Sequence, residues 1–150
     1  MTYVATYVTN RSDPEMEDRV ARHRKQRPAH WTTIENRFDL KVLFQEKRNS
    51  LILVDCLTLW LSNLMHAGRS LEREIADLKA AIVALDGPAI LVSNEVGLGL
   101  APMTPLGREF RDWQGRLNAE IAEVADVVVA MTAGLPGVVK PAPRLGLVFG

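Results

Sequence analysis

The chain has 150 residues, a length that suits one domain with a single core. Lys and Arg number 18, as do Asp and Glu, and this formal net charge of zero argues against a broad nucleic-acid-binding surface. The single cysteine, Cys56, excludes an internal disulfide and fits a reducing cytoplasm. The longest apolar stretch, Leu57 to Met65, is too short and too interrupted to span a bilayer, and the first residues lack the pattern of a signal peptide.

Apolar runs and helical periodicities alternate along the chain. Strands are predicted, in chain order, at Tyr3–Val8, Leu51–Asp55, Ala89–Val92 and Asp126–Met131, with shorter segments at Val138–Lys140 and Leu145–Phe149. Helices are predicted from Pro14 to the basic residues before Pro28, and over Leu57–Met65, Leu71–Leu85 and Pro105–Val124. The runs from Leu51, Ala89 and Asp126 lack alternation, which is typical of buried strands in a parallel sheet. We therefore expect a single α/β domain over residues 1–150 with a mostly parallel sheet, in which residues 141–144 link to a last strand at 145–149.

Several polar residues follow the predicted strands directly. In open α/β sheets, ligands bind outside the carboxyl ends of the strands. The residues at such ends are Thr6, Tyr7, Asp55, Asn94 and Glu95. Their positions alone predict that they lie at one ligand-binding edge of the sheet.

His23 lies in the basic end of the helix predicted from Pro14. Its cationic neighbours in the sequence are Arg19, Arg22, Arg24, Lys25 and Arg27. Nearby cations disfavour the imidazolium form of the ring and could hold phosphate oxygens. A neutral imidazole attacking a nucleotide α-phosphorus would form a phosphoramidate and expel pyrophosphate. A solvated basic helix end with an incidental histidine explains the same residues, so the local sequence leaves both interpretations open.

Asp55 closes an apolar strand, and Asn94 and Glu95 follow another. A carboxylate at a strand end often positions Mg²⁺ in phosphoryl-transfer enzymes, and Asp55 is our candidate ligand for that ion. The alternative is that Asp55 caps the helix that begins near Leu57. Asn94 and Glu95 are candidate substrate or loop contacts, because Gly97 and Gly99 would let the backbone approach a ligand closely.

Seven short segments between Tyr3 and Lys140 form one ordered set. They are Tyr3–Thr6, Asp13–Met16 with Arg19, Val20 and His23, Arg27–Trp31, Leu53–Asn63, Ser93–Gly99, Phe110–Asp112 with Gly115, Arg116 and Asn118, and Ala133–Pro136. In this order they resemble the bifunctional adenosylcobinamide kinase / adenosylcobinamide-phosphate guanylyltransferase family of cobalamin biosynthesis. The joint order is specific, although no single segment is.

The resemblance implies a phosphate-loop NTPase-like, RecA-like fold and two activities. The first would phosphorylate adenosylcobinamide with GTP or ATP and Mg²⁺. The second would transfer GMP from GTP to adenosylcobinamide phosphate through a guanylylated histidine, which matches His23. The implied GTP contacts match Ala5, Thr6, Tyr7, Arg24, Lys25, Gln26, Arg27, Glu35 and Asp55. The resemblance also implies a cytoplasmic homo-oligomer, a trimer, without a membrane span or a nucleic-acid partner.

The chain departs from the resemblance at one motif. Gly-x-x-x-x-Gly-Lys-Ser/Thr, the loop whose backbone amides and lysine hold phosphates, does not occur in these 150 residues, and we expect impaired activity as a result. The segment 145–149 resembles the strand that leads into such a loop. We therefore expect a circular permutation in which residues 145–149 fill a central position of the sheet, with simple loss of the first segment as the alternative.

Two other functions remain open on the sequence. A non-catalytic nucleotide- or corrinoid-binding subunit of the same fold would explain the absent loop. A generic α/β protein could bind a different anion at the basic helix end around His23. Preference for GTP over other polyanions would separate the enzyme from the generic anion binder.

Overall fold

This computed structural model describes residues 1–7, 18, 20–22, 24–25, 27–36, 38–47 and 49–140. Residues 18, 20–22, 24 and 25 are helical, which agrees with the later part of the helix predicted from Pro14. The beginning of that helix, the linker 141–144 and the strand predicted at 145–149 lie outside the described residues. Those expectations, including the permutation, stay predictions.

Four short parallel strands form the central sheet. They are β1 (Thr2–Ala5), β2 (Thr32–Glu35), β3 (Ile52–Asp55) and β4 (Ala89–Val92). Their order is β2-β1-β3-β4. Ala5 stands beside Glu35 on one side and Asp55 on the other, and Asp55 stands beside Val92. The predicted parallel α/β sheet is confirmed, and its register brings the last residues of all four strands to one edge.

Besides the helical residues before Pro28, the described part of the chain has four helices. They are α1 (Leu40–Glu46), α2 (Leu57–His66), α3 (Leu71–Val83) and α4 (Pro105–Val124). The helices predicted at Leu57, Leu71 and Pro105 are confirmed. The short elements β2 and α1 were not indicated by the sequence patterns, because four and seven residues are too few to display a clear period.

All four helices contribute to one core on one face of the sheet. Val4, Ile52 and Val54 project into this core, where they join apolar side chains of α1 to α4. Trp60 of α2 is the largest fully buried side chain, and its indole nitrogen donates to the carbonyl oxygen of Phe38 at 2.8 Å. Alternate residues of each strand therefore point into the core, and the residues between them point to the opposite face.

The opposite face of the sheet is covered unevenly by the described residues. Tyr3 is buried there beneath Arg27 and Trp31. Ile90 and Val92 of β4 point to the same face, in register with Leu53 and Asp55, but they are exposed. The β1 side of this face is thus packed and the β4 side is open.

The prediction that Asp126–Met131 is a buried strand of the parallel sheet is wrong. Val128–Thr132 does form a strand, β5, but it pairs antiparallel with β6 (Leu135–Lys140) in a separate two-stranded sheet, and most of its side chains are exposed. Ala133 and Gly134 connect the strands with φ of 52° and 79°. Positive φ at both turn residues matches the twist of a tight hairpin, which returns the chain onto β5 instead of into the central sheet.

The described part of the central sheet has no gap between neighbouring strands. Since β1 and β3 are paired on both sides, another strand could join only at the outer edge of β2 or β4. None of the helices in the described ranges is long and apolar enough to cross a membrane.

Candidate functional site

The turn after β1 is fixed to the end of β3 by one threonine. The Thr6 hydroxyl donates to the carbonyl oxygen of Cys56 at 2.8 Å and accepts from the Cys56 amide at 2.9 Å. The Thr6 amide donates to the Asp55 carbonyl, and Asn63 of α2 donates to the Thr6 carbonyl. Thr6 is fully buried, so its hydroxyl serves the fold, and a contact between this side chain and GTP stays a prediction.

Tyr3 and Asp55 form a polar centre on the face of the sheet that lies opposite the core. The Tyr3 hydroxyl donates a short hydrogen bond to Asp55 Oδ2. Burial, followed by this hydrogen bond and the negative charge of Asp55, raises the pKa of Tyr3 to about 12. The N-cap position of α2 belongs to Cys56, so the alternative that Asp55 caps this helix is wrong. Burial raises the pKa of the Cys56 thiol, in keeping with a structural cysteine.

Two arginines extend this centre towards β2. The Arg27 guanidinium lies over the Tyr3 ring, 3.7 Å from its centroid, and Trp31 stacks on the same tyrosine with ring centroids 6.2 Å apart. Arg27 Nε is buried and has no hydrogen-bond partner among the described residues. The Arg27 amide donates to the Arg24 carbonyl at 3.3 Å, and the Arg24 side chain forms an ion pair with Glu35.

These contacts join residues that are far apart in the sequence. Arg24, Arg27, Glu35 and Asp55, all predicted as GTP contacts, form one chain of contacts through Tyr3. The other predicted contacts are less informative: Lys25 is exposed, Tyr7 is half-buried, and Ala5 is buried with its carbonyl accepting from the Asn36 amide. His23 and Gln26 lie outside the described residues, so their roles stay predictions.

A second polar cluster fixes the end of β4. Gln114 of α4 is fully buried and donates to Ser93 Oγ and to Asn118 Oδ1, both at 2.9 Å. Ser93 Oγ also donates to Asn118 Oδ1 at 2.6 Å. Asn118 Nδ2 then donates to the Asn94 carbonyl at 3.1 Å. The backbone that follows β4 is therefore tied to a buried part of α4.

The two predicted substrate contacts have defined local roles. The Asn94 amide donates to Thr58 Oγ1 at 2.9 Å, which places Asn94 beside the first turn of α2. Glu95 Oε1 accepts from the Gly97 amide at 3.2 Å, within its own loop. Both residues are exposed at the carboxyl edge of the sheet, where a ligand could reach them, and their contact with substrate stays a prediction.

Asp55 is the candidate for holding Mg²⁺. No group of three or more His, Cys, Asp or Glu side chains within the described ranges could hold a metal ion. Mg²⁺ commonly takes only one or two carboxylates and obtains its other ligands from water and substrate phosphates. A lone carboxylate at a strand end fits that donor set, and Asp55 Oδ1 accepts no hydrogen bond from the described residues. Binding of Mg²⁺ by Asp55, together with a nucleotide, stays a prediction.

Tyr3 and Trp31 are site residues that the sequence reasoning missed. Tyr3 lies two residues before Ala5 on the same strand, so period two places it on the face that also carries Asp55. This two-residue period was the sequence signal that could have identified Tyr3 as a neighbour of the site. Trp31 offered none, because its approach to Tyr3 depends on how the chain folds between the helix and β2.

The raised pKa of Tyr3 predicts a specific alkaline transition. The folded state holds the phenolic proton more tightly than the unfolded state, where the pKa is 10.0. The stabilisation is present below pH 10 and is lost as the pH rises towards about 12. Tyr3→Phe should therefore remove the tyrosinate absorbance that appears late in an alkaline titration, and should flatten the fall in unfolding free energy over that range. A Tyr3 phenol that ionises at its ordinary pKa would contradict the bond to Asp55.

The fold and this edge define an α/β protein with charged and polar residues gathered where parallel strands end. The family model described as "Cobinamide kinase / cobinamide phosphate guanyltransferase" matches residues 1–139, and the chain belongs to that family.

Curated relatives agree with this assignment. The chain is 40% identical over 147 residues to the bifunctional adenosylcobalamin biosynthesis protein CobP of Pseudomonas aeruginosa, covering 95% of this chain and 84% of that protein. It is 33% identical over 150 residues to the bifunctional adenosylcobalamin biosynthesis protein CobU of Salmonella typhimurium, covering 89% of this chain and 82% of the relative. The protein therefore belongs with nucleotide-using transferases of cobalamin biosynthesis.

Proposed function

We propose that this chain binds GTP at the carboxyl edge of its sheet and transfers GMP to adenosylcobinamide phosphate through His23. The observation that carries the proposal is the chain of contacts Glu35–Arg24–Arg27–Tyr3–Asp55, which gathers residues from four separate segments. Two guanidinium groups supply positive charge suited to phosphate oxygens, and one carboxylate suits Mg²⁺. A structural ion pair alone would not require Arg27 to stand over Tyr3 with its Nε unpartnered among the described residues.

The proposed reaction has two displacement steps. An imidazole nitrogen of His23 attacks the α-phosphorus of GTP, and the bond from that phosphorus to the bridging oxygen breaks, so pyrophosphate leaves with the bonding electrons. A phosphate oxygen of adenosylcobinamide phosphate then attacks the same phosphorus, and the phosphorus–nitrogen bond breaks. The imidazole is regenerated, and the product carries a diphosphate link between guanosine and cobinamide.

The five residues of this chain of contacts each have a role in the first step. Arg24 and Arg27 would hold phosphate oxygens and offset the charge that develops on them. Mg²⁺, when bound with the nucleotide, would lower the negative charge of the leaving pyrophosphate. Asp55 would hold that ion, and Tyr3 would orient Asp55 through its hydrogen bond. Glu35 would keep the Arg24 guanidinium at the site.

The proposal concerns guanylyl transfer and not the kinase reaction. The phosphate loop on which the kinase reaction was expected to depend is not among these 150 residues. A non-catalytic subunit that binds GTP is the second candidate, because the arginine contacts with Glu35 and Tyr3 could hold a nucleotide whether or not transfer follows. Intact-mass measurement after incubation with GTP and Mg²⁺ separates the two.

The expected result is a covalent gain of one GMP on the unaltered chain. His23→Ala should abolish this gain, and His30→Ala, which removes an exposed histidine of the same region, should not. The adduct should be labile in acid, as a phosphoramidate is. A GMP adduct that persists in His23→Ala would overturn the assignment of the nucleophile. GTP binding by calorimetry without any adduct would support the non-catalytic subunit instead.

A further inference from the structure

The loop after β4 carries three large apolar side chains that project almost completely into solvent. Leu98 is 90% exposed, Leu100 is 98% exposed and Met103 is 94% exposed. We call residues 97–103 the apolar loop. Large apolar side chains left exposed close together in the sequence are candidates for a binding surface in soluble proteins.

Both ends of the apolar loop are anchored. At its start, the Asn94 amide donates to Thr58 and the Asn94 carbonyl accepts from Asn118. At its end, Arg108 Nη1 donates to the carbonyl oxygens of Pro102 and Met103, both at 3.0 Å. Thr104 then caps α4 by accepting from the Gly107 amide. The positions at which the chain enters and leaves the apolar loop are thus held, which limits the entropy lost when a ligand binds.

The apolar loop lies on the opposite side of Asp55 from the arginines. The strand order β2-β1-β3-β4 places Glu35 at one end of the carboxyl edge and the apolar loop at the other, with Asp55 between them. Neighbouring strands lie about 4.8 Å apart, so this edge spans roughly 14 Å across four strands. Charged residues therefore stand at the ends of β2 and β3, and the apolar loop follows the end of β4.

We propose that the apolar loop binds the corrin macrocycle of the cobinamide acceptor. The inference rests on the proposed function and adds the acceptor's position to it. A corrinoid carries a large flat ring edged with methyl groups and a side arm that ends in a hydroxyl or phosphate. The ring suits Leu98, Leu100 and Met103, and the arm would extend along the edge towards Asp55. The nucleotide then occupies the β2–β1–β3 side, and the two substrates meet from opposite directions.

The corrin ring requires a mostly apolar binding surface. The described residues of the nucleotide side are mostly charged, whereas ligand sites for large organic molecules are mostly apolar with a few polar groups. The apolar loop meets that requirement, since exposed Asn94 and Glu95 stand at its start and can bond to the acetamide and propionamide groups of a corrinoid. Among the described residues that follow the strands, those of the apolar loop are far more exposed than Val92 at the end of β4, which is 39% exposed.

A direct binding titration tests the inference without using catalysis. Cobinamide absorbs visible light, so its binding to the full chain is followed by the change in its spectrum. The test variant replaces Leu98, Leu100 and Met103 by Ser together. The control is Val83→Ser, because Val83 is 67% exposed at the end of α3, which leads to the start of β4 and not to its carboxyl end. We expect roughly ten-fold weaker binding or more for the triple variant, and unchanged binding for the control.

Two further measurements separate this inference from the proposed function. The triple variant should keep its melting temperature and still form the GMP adduct on His23, since none of the proposed nucleotide contacts belongs to the apolar loop. Unchanged cobinamide affinity with a normal adduct would overturn the loop assignment and leave the proposed function standing. A variant whose oligomeric state changes in light scattering while its cobinamide affinity does not would assign the loop to a second copy and likewise overturn the inference. If the unaltered chain forms no adduct yet the triple variant loses cobinamide binding, the loop assignment stands and the proposed transfer fails.

Discussion

Asp55→Asn is expected to slow formation of the GMP adduct by about 100-fold or more, equivalent to about 2.7 kcal/mol of transition-state stabilisation. The substitution removes the one negative charge that the described part of the nucleotide side offers to Mg²⁺ at the end of β3. It keeps the shape of the side chain and an oxygen that can accept from the Tyr3 hydroxyl. The loss should therefore appear in the rate and not in the fold.

A single-turnover measurement with GTP and Mg²⁺ provides the rate, and a melting curve checks the fold. Asp126→Asn is the matched control, because Asp126 is exposed and precedes β5, outside the central sheet. Adduct formation at an unchanged rate in Asp55→Asn would show that Asp55 only orients Tyr3. Raising the Mg²⁺ concentration should recover part of the lost rate if the ion is held less tightly.

Trp60→Ala is expected to lower the free energy of unfolding by about 3–5 kcal/mol. Trp60 is 1% exposed and is surrounded by the core that α1, α2 and α3 form on the sheet. Its removal creates a large cavity and leaves the Phe38 carbonyl without the indole donor. Since domains of this size are stable by only about 5–15 kcal/mol, this single change should bring the protein close to unfolding.

Urea unfolding followed by circular dichroism measures the effect. Trp60→Phe should cost less than Trp60→Ala, because the ring remains while the hydrogen bond to Phe38 is lost. Trp113→Ala serves as a second comparison, since Trp113 is only half-buried and lies against Arg116 on α4. Equal losses for Trp60 and Trp113 would contradict the position of Trp60 at the centre of the core.

The long helices were predictable because their apolar stripes extend over several turns. Leu71, Ile75 and Leu78 recur at helical spacing, and all three are buried in α3. The apolar residues that recur at helical spacing along α4 are buried only in part, since Leu117 and Ile121 are buried while Leu106 is 58% exposed. Leu106 is the second residue of α4, shortly after the apolar loop.

The neighbour of a strand was harder to predict than the strand itself. An apolar run such as Asp126–Met131 indicates that a segment favours extended structure. It does not indicate which strand the segment pairs with. The turn at Ala133 and Gly134 decides the partner. An alanine with positive φ is uncommon, so a tight hairpin at this position was hard to predict.

The site could be predicted in position but not in its contacts. Thr6, Asp55 and Asn94 end or follow their strands, and a parallel sheet necessarily brings such residues to one edge. The hydrogen bond between Tyr3 and Asp55 depends on register, and the burial of Gln114 depends on how α4 packs against β4. Neither the hydrogen bond nor the burial could be predicted from the sequence, because polar side chains on an isolated helix or strand usually face water.

The hydroxyl of Thr6 substitutes for a peptide group. It gives one hydrogen bond to Cys56 and receives one from it, as a backbone unit of a neighbouring strand would. The sheet is thereby extended by one rung after the backbone of β1 has ended at Ala5. The hydroxyl of Thr6 therefore holds Cys56 at the end of β3 where the main chain of β1 no longer pairs. One side chain thus lets a strand terminate at the ligand-binding edge without loosening the strand beside it.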